Sequence, residues 1–192
     1  MFIDFREWLV GSPRWGWETK EERSMGLGRF AVGPGEGRSV YIGGLEAVYK
    51  LSGEETGGAF SVVEHPVEPG VLAAPPHTHR DEDEFSFVLE GEIGVRIGEE
   101  EFVAGPGTYV LKPRGVPHAF WNPGPGRARF VEIISPPGFE RYFAELAELV
   151  YEADPEDPDF AESIGTLGAR YGLTFHMEGV PDLLERHGLT FE

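Results

Sequence analysis

Gly70-Val71-Leu72-Ala73-Ala74-Pro75-Pro76-His77-Thr78-His79-Arg80-Asp81-Glu82-Asp83-Glu84-Phe85-Ser86-Phe87-Val88-Leu89-Glu90-Gly91 decides how this chain reads. Side chains at i and i+2 of a β-strand point to one face, about 7 Å apart along the strand, so His77 and His79 can reach one ion. A polar turn follows, and Glu84 opens the next apolar run. Working outward, Gly107, Pro113, Gly115, His118 and Asn122 form a second pattern. The Pro113-Arg114-Gly115 turn would deliver His118 from a separate strand to the same place. Three histidines and one carboxylate then make a pocket for one divalent metal ion.

These two segments resemble the paired motifs of the cupin superfamily, G-x5-H-x-H-x3,4-E-x6-G and G-x5-P-x-G-x2-H-x3-N. The second motif, Gly107 to Asn122, matches in residue type and spacing, while in the first six residues rather than five separate Gly70 from His77. The run Thr56-Gly57-Gly58-Ala59-Phe60 is similar to the strand before motif one in small single-domain cupins, including quercetin-dioxygenase-like proteins. The resemblance covers roughly residues 38 to 137. It implies a mainly β fold, an antiparallel jelly-roll β-barrel; outside it, residues 1–37 read as an N-terminal arm and 138–192 as a C-terminal helical extension. It also implies His77, His79, Glu84 and His118 as the metal ligands, with Glu84 able to take a substrate proton.

Glu82 and Glu84 both stand just behind the histidines. Glu84 is the better ligand, because it borders the apolar strand and has six residues between it and Gly91, whereas Glu82 sits within the turn. On strand parity Glu84, Ser86 and Val88 face the pocket, and Phe120 shares the parity of His118. Ser86, Val88 and Phe120 are therefore candidate pocket residues. Phe85, Phe87 and Leu89 fall on the outside and need cover from the arm, the helices or a second subunit. A homodimer is the expectation. Asn122 is expected to tie a turn. His65, His176 and His187 lack ligand-like company.

Cysteine is absent, so any metal is held by nitrogen and oxygen. That donor set suits Fe, Mn, Ni, Co, Cu or Zn. Four protein ligands would close a tetrahedral zinc site, whereas a six-coordinate ion keeps two positions open for a small-molecule substrate. The resemblance implies a metal-dependent dioxygenase acting on an enol- or phenol-type molecule. A metal-dependent isomerase or decarboxylase, and a non-catalytic small-ligand-binding cupin, are the alternatives.

The chain has 192 residues, 40% of them apolar, with a net charge of −18 from 16 basic and 34 acidic residues. That balance argues against binding nucleic acid, which needs clustered Lys and Arg. No apolar run approaches a membrane span. Met1-Phe2-Ile3-Asp4-Phe5-Arg6-Glu7 carries charges where a signal peptide is apolar, which makes a cytoplasmic location the expectation.

A short helix is expected over 2–10, then a Gly/Pro/Arg-rich aromatic arm. Strands are expected at 39–51, 58–65, 71–77, 84–90, 92–98, 100–103, 108–112, 117–121 and 128–134. After Pro136-Pro137-Gly138 the period lengthens to helical over 139–152, with further helices over 159–171 and from Pro181. Arg170-Tyr171-Gly172-Leu173-Thr174-Phe175 recurs as Arg186-His187-Gly188-Leu189-Thr190-Phe191, two copies of one helix stop.

Overall fold

Gly43 takes a positive φ of 55° and bends the first expected strand back on itself. Two strands result, β1 (Ser39–Ile42) and β2 (Leu45–Leu51), paired antiparallel with Ile42 opposite Leu45. The structure is a computed structural model and describes residues 30–152 and 159–191. The helix expected over 2–10 and most of the arm lie outside the described residues.

The remaining strands fall close to their expected places: β3 (Ser61–Val67), β4 (Leu72–His79), β5 (Asp83–Glu90), β6 (Ile93–Ile97), β7 (Glu100–Ala104), β8 (Tyr109–Lys112), β9 (His118–Trp121) and β10 (Ala128–Ser135). They form two antiparallel sheets, β1-β2-β3-β10-β5-β8 and one containing β4-β9-β6-β7. From β3 to β10 the chain crosses from one sheet to the other at every step except β6 to β7, the habit of a jelly roll. The pair forms a sandwich, and among the described residues no ladder closes it into a barrel.

Between the sheets lies an aliphatic and aromatic core. Val67, Val88, Val110 and Phe130 of the first sheet meet Ile93, Val95, Ala104 and Phe120 of the second. Each such side chain contributes about 1.5–3 kcal/mol on burial. Trp121 lies so close over Gly94 that a Cβ there would sit 2.1 Å from the indole, so that strand crossing requires glycine.

The C-terminal segment supplies α1 (Glu140–Glu152), α2 (Phe160–Arg170) and α3 (Val180–His187). Phe143, Leu146, Phe160, Ile164 and Leu167 pack with Val40, Ile42 and Ala47 at one end of the sandwich. Val180, Leu183 and Leu189 cover Leu72, Ala119 and Trp121 on the outer face of the second sheet. Both recurring helix stops end on a left-handed glycine, Gly172 at φ 71° and Gly188 at φ 62°. After the first of them the chain adds a strand the sequence reading did not foresee. This β11 (Leu173–Phe175) pairs with β4, setting Leu173 opposite His79 and Phe175 opposite His77. The second sheet is thus five-stranded, β11-β4-β9-β6-β7.

Candidate metal centre and the cavity beside it

Strand pairing places the four candidate ligands. β4 and β9 align His77 with His118. The turn before β9 is tied to β4 by the Gly115 N–H, which donates to the His79 carbonyl at 2.8 Å, and Gly115 sits at φ 75°. Glu84 enters from the facing sheet on β5, whose Glu84-Ser86-Val88 side is the buried one. One donor atom from each of His77, His79, Glu84 and His118 lies within 4.8 Å of the others, and all four residues are buried.

The outward ring nitrogens show what the inward ones are for. His77 Nδ1 lies 2.7 Å from the Pro75 carbonyl and His118 Nδ1 3.2 Å from the Val116 carbonyl. A carbonyl only accepts, so both Nδ1 atoms carry the hydrogen and both Nε2 atoms present lone pairs. His79 Nδ1 points to Glu82 Oε2 at 3.5 Å. Inside, His77 Nε2 and His79 Nε2 stand 3.2 Å apart, and Glu84 oxygens lie 3.3 Å from His79 Nε2 and from His118 Nε2. His118 Nε2 is fully buried and has no hydrogen-bond partner among the described residues. Such converging lone pairs repel unless a cation sits among them. The donor set therefore fits a divalent transition ion.

Electrostatics point the same way. Burial, with His118 and His79 beside it, holds His77 well below its ordinary pKa, and burial also lowers His118. Both are neutral and ready to ligate at neutral pH. Burial pushes the Glu84 carboxyl up, but Lys112 and the histidines outweigh it and hold the group well below the usual carboxylate range.

Lys112 was not singled out in the sequence. It is 2% exposed, and its Nζ sits 2.9 Å from Glu84 Oε2 and 2.5 Å from Glu132 Oε2. Glu132 Oε1 accepts from the Ser86 hydroxyl at 2.8 Å. One ammonium thus serves two buried carboxylates. Burial would lower Lys112, but Glu132 and Glu84 together raise it, so it stays charged. Glu84 keeps its charge among the histidines, and burial of Glu132 carries that carboxyl up to about 7. A signal for both residues was available: Lys112 shares strand parity with inward Val110, and Glu132 with inward Phe130 and Ile134.

A cavity of about 80 Å³ adjoins two of the four donors, His77 and Glu84, and is lined also by Glu132, His65 and Phe120 on the sheets and by Phe139, Tyr142 and Phe143 at the start of α1. Of the three residues expected to wall the pocket, Phe120 does so. Ser86 and Val88 do not line this cavity. Ser86 turns its hydroxyl to Glu132, and Val88 lies further along β5 in the packed core. Asn122 ties a turn as expected, donating to the Val67 and Gly126 carbonyls at 3.0 and 2.8 Å. His65 is fully buried, with Nδ1 3.0 Å from the Glu46 carbonyl, and burial lowers it to about 4. His176 lies 2.8 Å from the Thr78 hydroxyl and His187 2.8 Å from Glu101, both apart from the four donors.

The family model described as Cupin domain matches residues 63–134 of the chain. The chain is 31% identical over 91 residues to quercetin 2,3-dioxygenase of Bacillus subtilis. That match takes in 47% of this chain but only 27% of the relative's length. Among solved structures, the chain is similar to the polyketide cyclase RemF from Streptomyces resistomycificus at 24% identity and a TM-score of 0.47, over 54% of this chain and 77% of that one. It is similar to KdgF from Halomonas sp. at 17% identity and a TM-score of 0.45, over 51% and 84% of the two chains.

Proposed function

We propose that this chain is a metal-dependent enzyme acting on a small enol- or phenol-type substrate, with dioxygenase chemistry as its reaction. The observation that carries this reading is the convergence of four buried donors, the His77 and His118 tautomers set by outward carbonyls, with His77 and Glu84 on the wall of a cavity. A bound divalent transition ion would supply Lewis acidity toward a substrate oxygen and, where redox-active, electrons toward dioxygen. His77, His79, His118 and Glu84 would hold that ion. Lys112 fixes Glu84, while Phe120, Phe139 and Phe143 shape an apolar wall that keeps water out. The similarity to a quercetin 2,3-dioxygenase supports the dioxygenase reading over the matched segment.

The cavity volume of about 80 Å³ corresponds to roughly two to three waters of bulk volume. A large substrate would enter only with displacement of the head of α1. A second reading, a metal-dependent isomerase or decarboxylase, is favoured by Glu132, a second carboxylate on the cavity wall.

The first test is elemental analysis of native protein. Oxygen uptake over a panel of phenols, diketones and organic acids then follows, with each first-row metal in turn. Uptake that disappears in His118→Ala is the expected result. Bound metal without uptake on any panel member would sink the dioxygenase reading. Turnover of no kind would leave a ligand-binding cupin.

Two further expectations belong to this proposal. No helix among the described residues is long and apolar enough to cross a membrane; a cytoplasmic setting is part of the proposal. A homodimer is proposed through the outer face of β5 and β8, where Phe85, Phe87 and Leu89 are half-buried and Tyr109 and Leu111 are exposed. α1 and α2 pack elsewhere, against β1 and β11. A monomer in sedimentation at micromolar concentration would refute the dimer.

A further inference from the structure

Glu132 is a buried carboxylate that metal binding does not use. β10 carries it inward between Phe130 and Ile134, both in the core, where a charged side chain is costly to keep. It is 2% exposed and lines the same cavity as His77 and Glu84. Ser86 and Lys112 each engage one of its oxygens, which fixes the carboxylate plane. Each oxygen keeps a lone pair beyond those bonds. Glu84 is differently placed, with both its oxygens among His79, His118 and Lys112.

The cavity also limits what can enter. Among the described residues that line it, none is Arg or Lys. Lys112 behind the wall is already committed to two carboxylates, so among the described residues around the cavity no cation is free to receive an anionic substrate. The other walls are mostly apolar. A neutral molecule of few atoms fits that surface.

We propose that Glu132 is the proton-transfer residue of this cavity, that Lys112 and Ser86 are positioning residues for it, and that the substrate is a small uncharged carbonyl compound with an acidic α-hydrogen. This rests on the reading of the site as a metal-dependent enzyme. In the step, the α C–H bond breaks and its electron pair stays with the substrate as the enolate. The proton passes to a Glu132 oxygen. Its return to the same carbon gives hydrogen exchange; where that carbon carries a hydroxyl, the hydroxyl proton passes to the enolate oxygen, the stored proton returns to the former carbonyl carbon, and the carbonyl moves by one position. No oxidant or reductant is consumed. A carboxyl poised at about 7 suits a group that both takes and returns a proton near neutral pH.

The experiment follows deuterium entry from D2O into hydroxyacetone and pentane-2,4-dione by mass spectrometry, with pyruvate as the anionic comparison. Wild type, Glu132→Gln and Glu132→Asp are each loaded with Fe(II), Mn(II), Co(II) or Ni(II) in turn, and metal affinity is measured by calorimetry. Wild type should exchange the neutral probes in preference to pyruvate. Glu132→Gln should lower exchange at least about 100-fold, the scale of a lost general base. Its metal affinity should stay within about tenfold of wild type, since Glu132 touches no ligating nitrogen. Glu132→Asp should restore part of the exchange; it keeps the charge against Lys112 and so guards against a folding failure of the amide variant. A readout free of turnover is the infrared band of a protonated carboxyl, expected in metal-free wild type at pH 6 and missing from Glu132→Gln. Full exchange by metal-loaded Glu132→Gln, or no band lost, overturns the assignment while leaving the metal-enzyme reading intact. Metal-loaded wild type that exchanges none of the probes overturns the substrate class. Wild type that binds none of the four metals refutes the reading beneath it.

Discussion

The interior of this sandwich has two ends built on the same three strands. At one end β5, β8 and β10 point Glu84, Lys112 and Glu132 inward; two or four residues along, the same strands point Val88, Val110 and Phe130 inward. The registers make this literal, with Glu84 opposite Lys112 and Val88 opposite Phe130. The aliphatic end is held by packing, where each side chain contributes through buried area. The charged end gains little net stability from its ion pairs, because desolvation offsets the attraction, but removing one partner exposes the full penalty. One end builds the fold. The other keeps charge where a reaction would need it.

The largest effect that could break this comparison is at Lys112. In metal-free protein Lys112→Met leaves Glu84 and Glu132 without their shared cation and should cost about 3–5 kcal/mol in urea unfolding. Val110→Ala, one inward step along β8, should cost about 2 kcal/mol. The double variant Lys112→Met/Glu132→Gln should recover part of the loss. Equal costs for the two single variants would mean that the charged end is not energetically distinct.

Metal binding sharpens the contrast next. His118→Ala should weaken it by more than the about 10- to 100-fold expected of outer partners, and Glu84→Gln should also weaken it by removing the one charged ligand. Val95→Ala, in the aliphatic end, should lower stability and leave metal stoichiometry unchanged. Competition titration with a chelator reads all three. Retention of tight metal by His118→Ala would remove the basis of the site.

The pH dependence separates His65 from its neighbours. Its folded value of about 4 lies below the ordinary 6.5, so the unfolded chain takes the proton first. Stability from this group is full above pH 6.5 and is lost as pH falls toward 4, by about 2 kcal/mol at pH 5. Glu132 acts oppositely: raised to about 7, its contribution is complete below its ordinary 4.5 and is lost as pH rises through about 7. The difference between wild type and His65→Phe therefore isolates the histidine. Parallel urea-unfolding curves for the two proteins between pH 7 and pH 5 would show that His65 is not held neutral.

Smallest is Glu82→Gln. The sequence alone marks Glu82 as a bystander in the turn, yet its Oε2 stands 3.5 Å from His79 Nδ1, both atoms buried. Replacing it should weaken metal binding about tenfold by loosening the ring. No change would return Glu82 to the solvated turn.

Much of the site was legible because it obeys short-range rules. Alternation along β5 separates Glu84, Ser86 and Val88 from Phe85, Phe87 and Leu89, and the structure buries the first set and half-exposes the second. The helix stops at Gly172 and Gly188 could be read from a repeated hexapeptide because a left-handed cap is a local demand on backbone sterics. His77 and His79 follow from spacing, since a two-residue period brings two histidines to one face, while the resemblance to the paired motifs adds Glu84 and His118.

What the chain alone determined, then, is which residues share a face and where elements start and stop. Tertiary structure decided which faces meet. β11 sits beside His77 and His79 only because α1 and α2 carry the chain back to β4. Glu82 reaches His79 only once the turn has closed. Lys112 and Glu132 look in sequence like a basic residue before a proline and an acid in an apolar strand. Their meeting with Glu84 requires β5 to lie between β8 and β10, a pairing between distant segments that no local period encodes. The physical reason is range: dihedral preference and side-chain alternation act over a few residues, whereas a shared ammonium between two carboxylates exists only after three strands are in register.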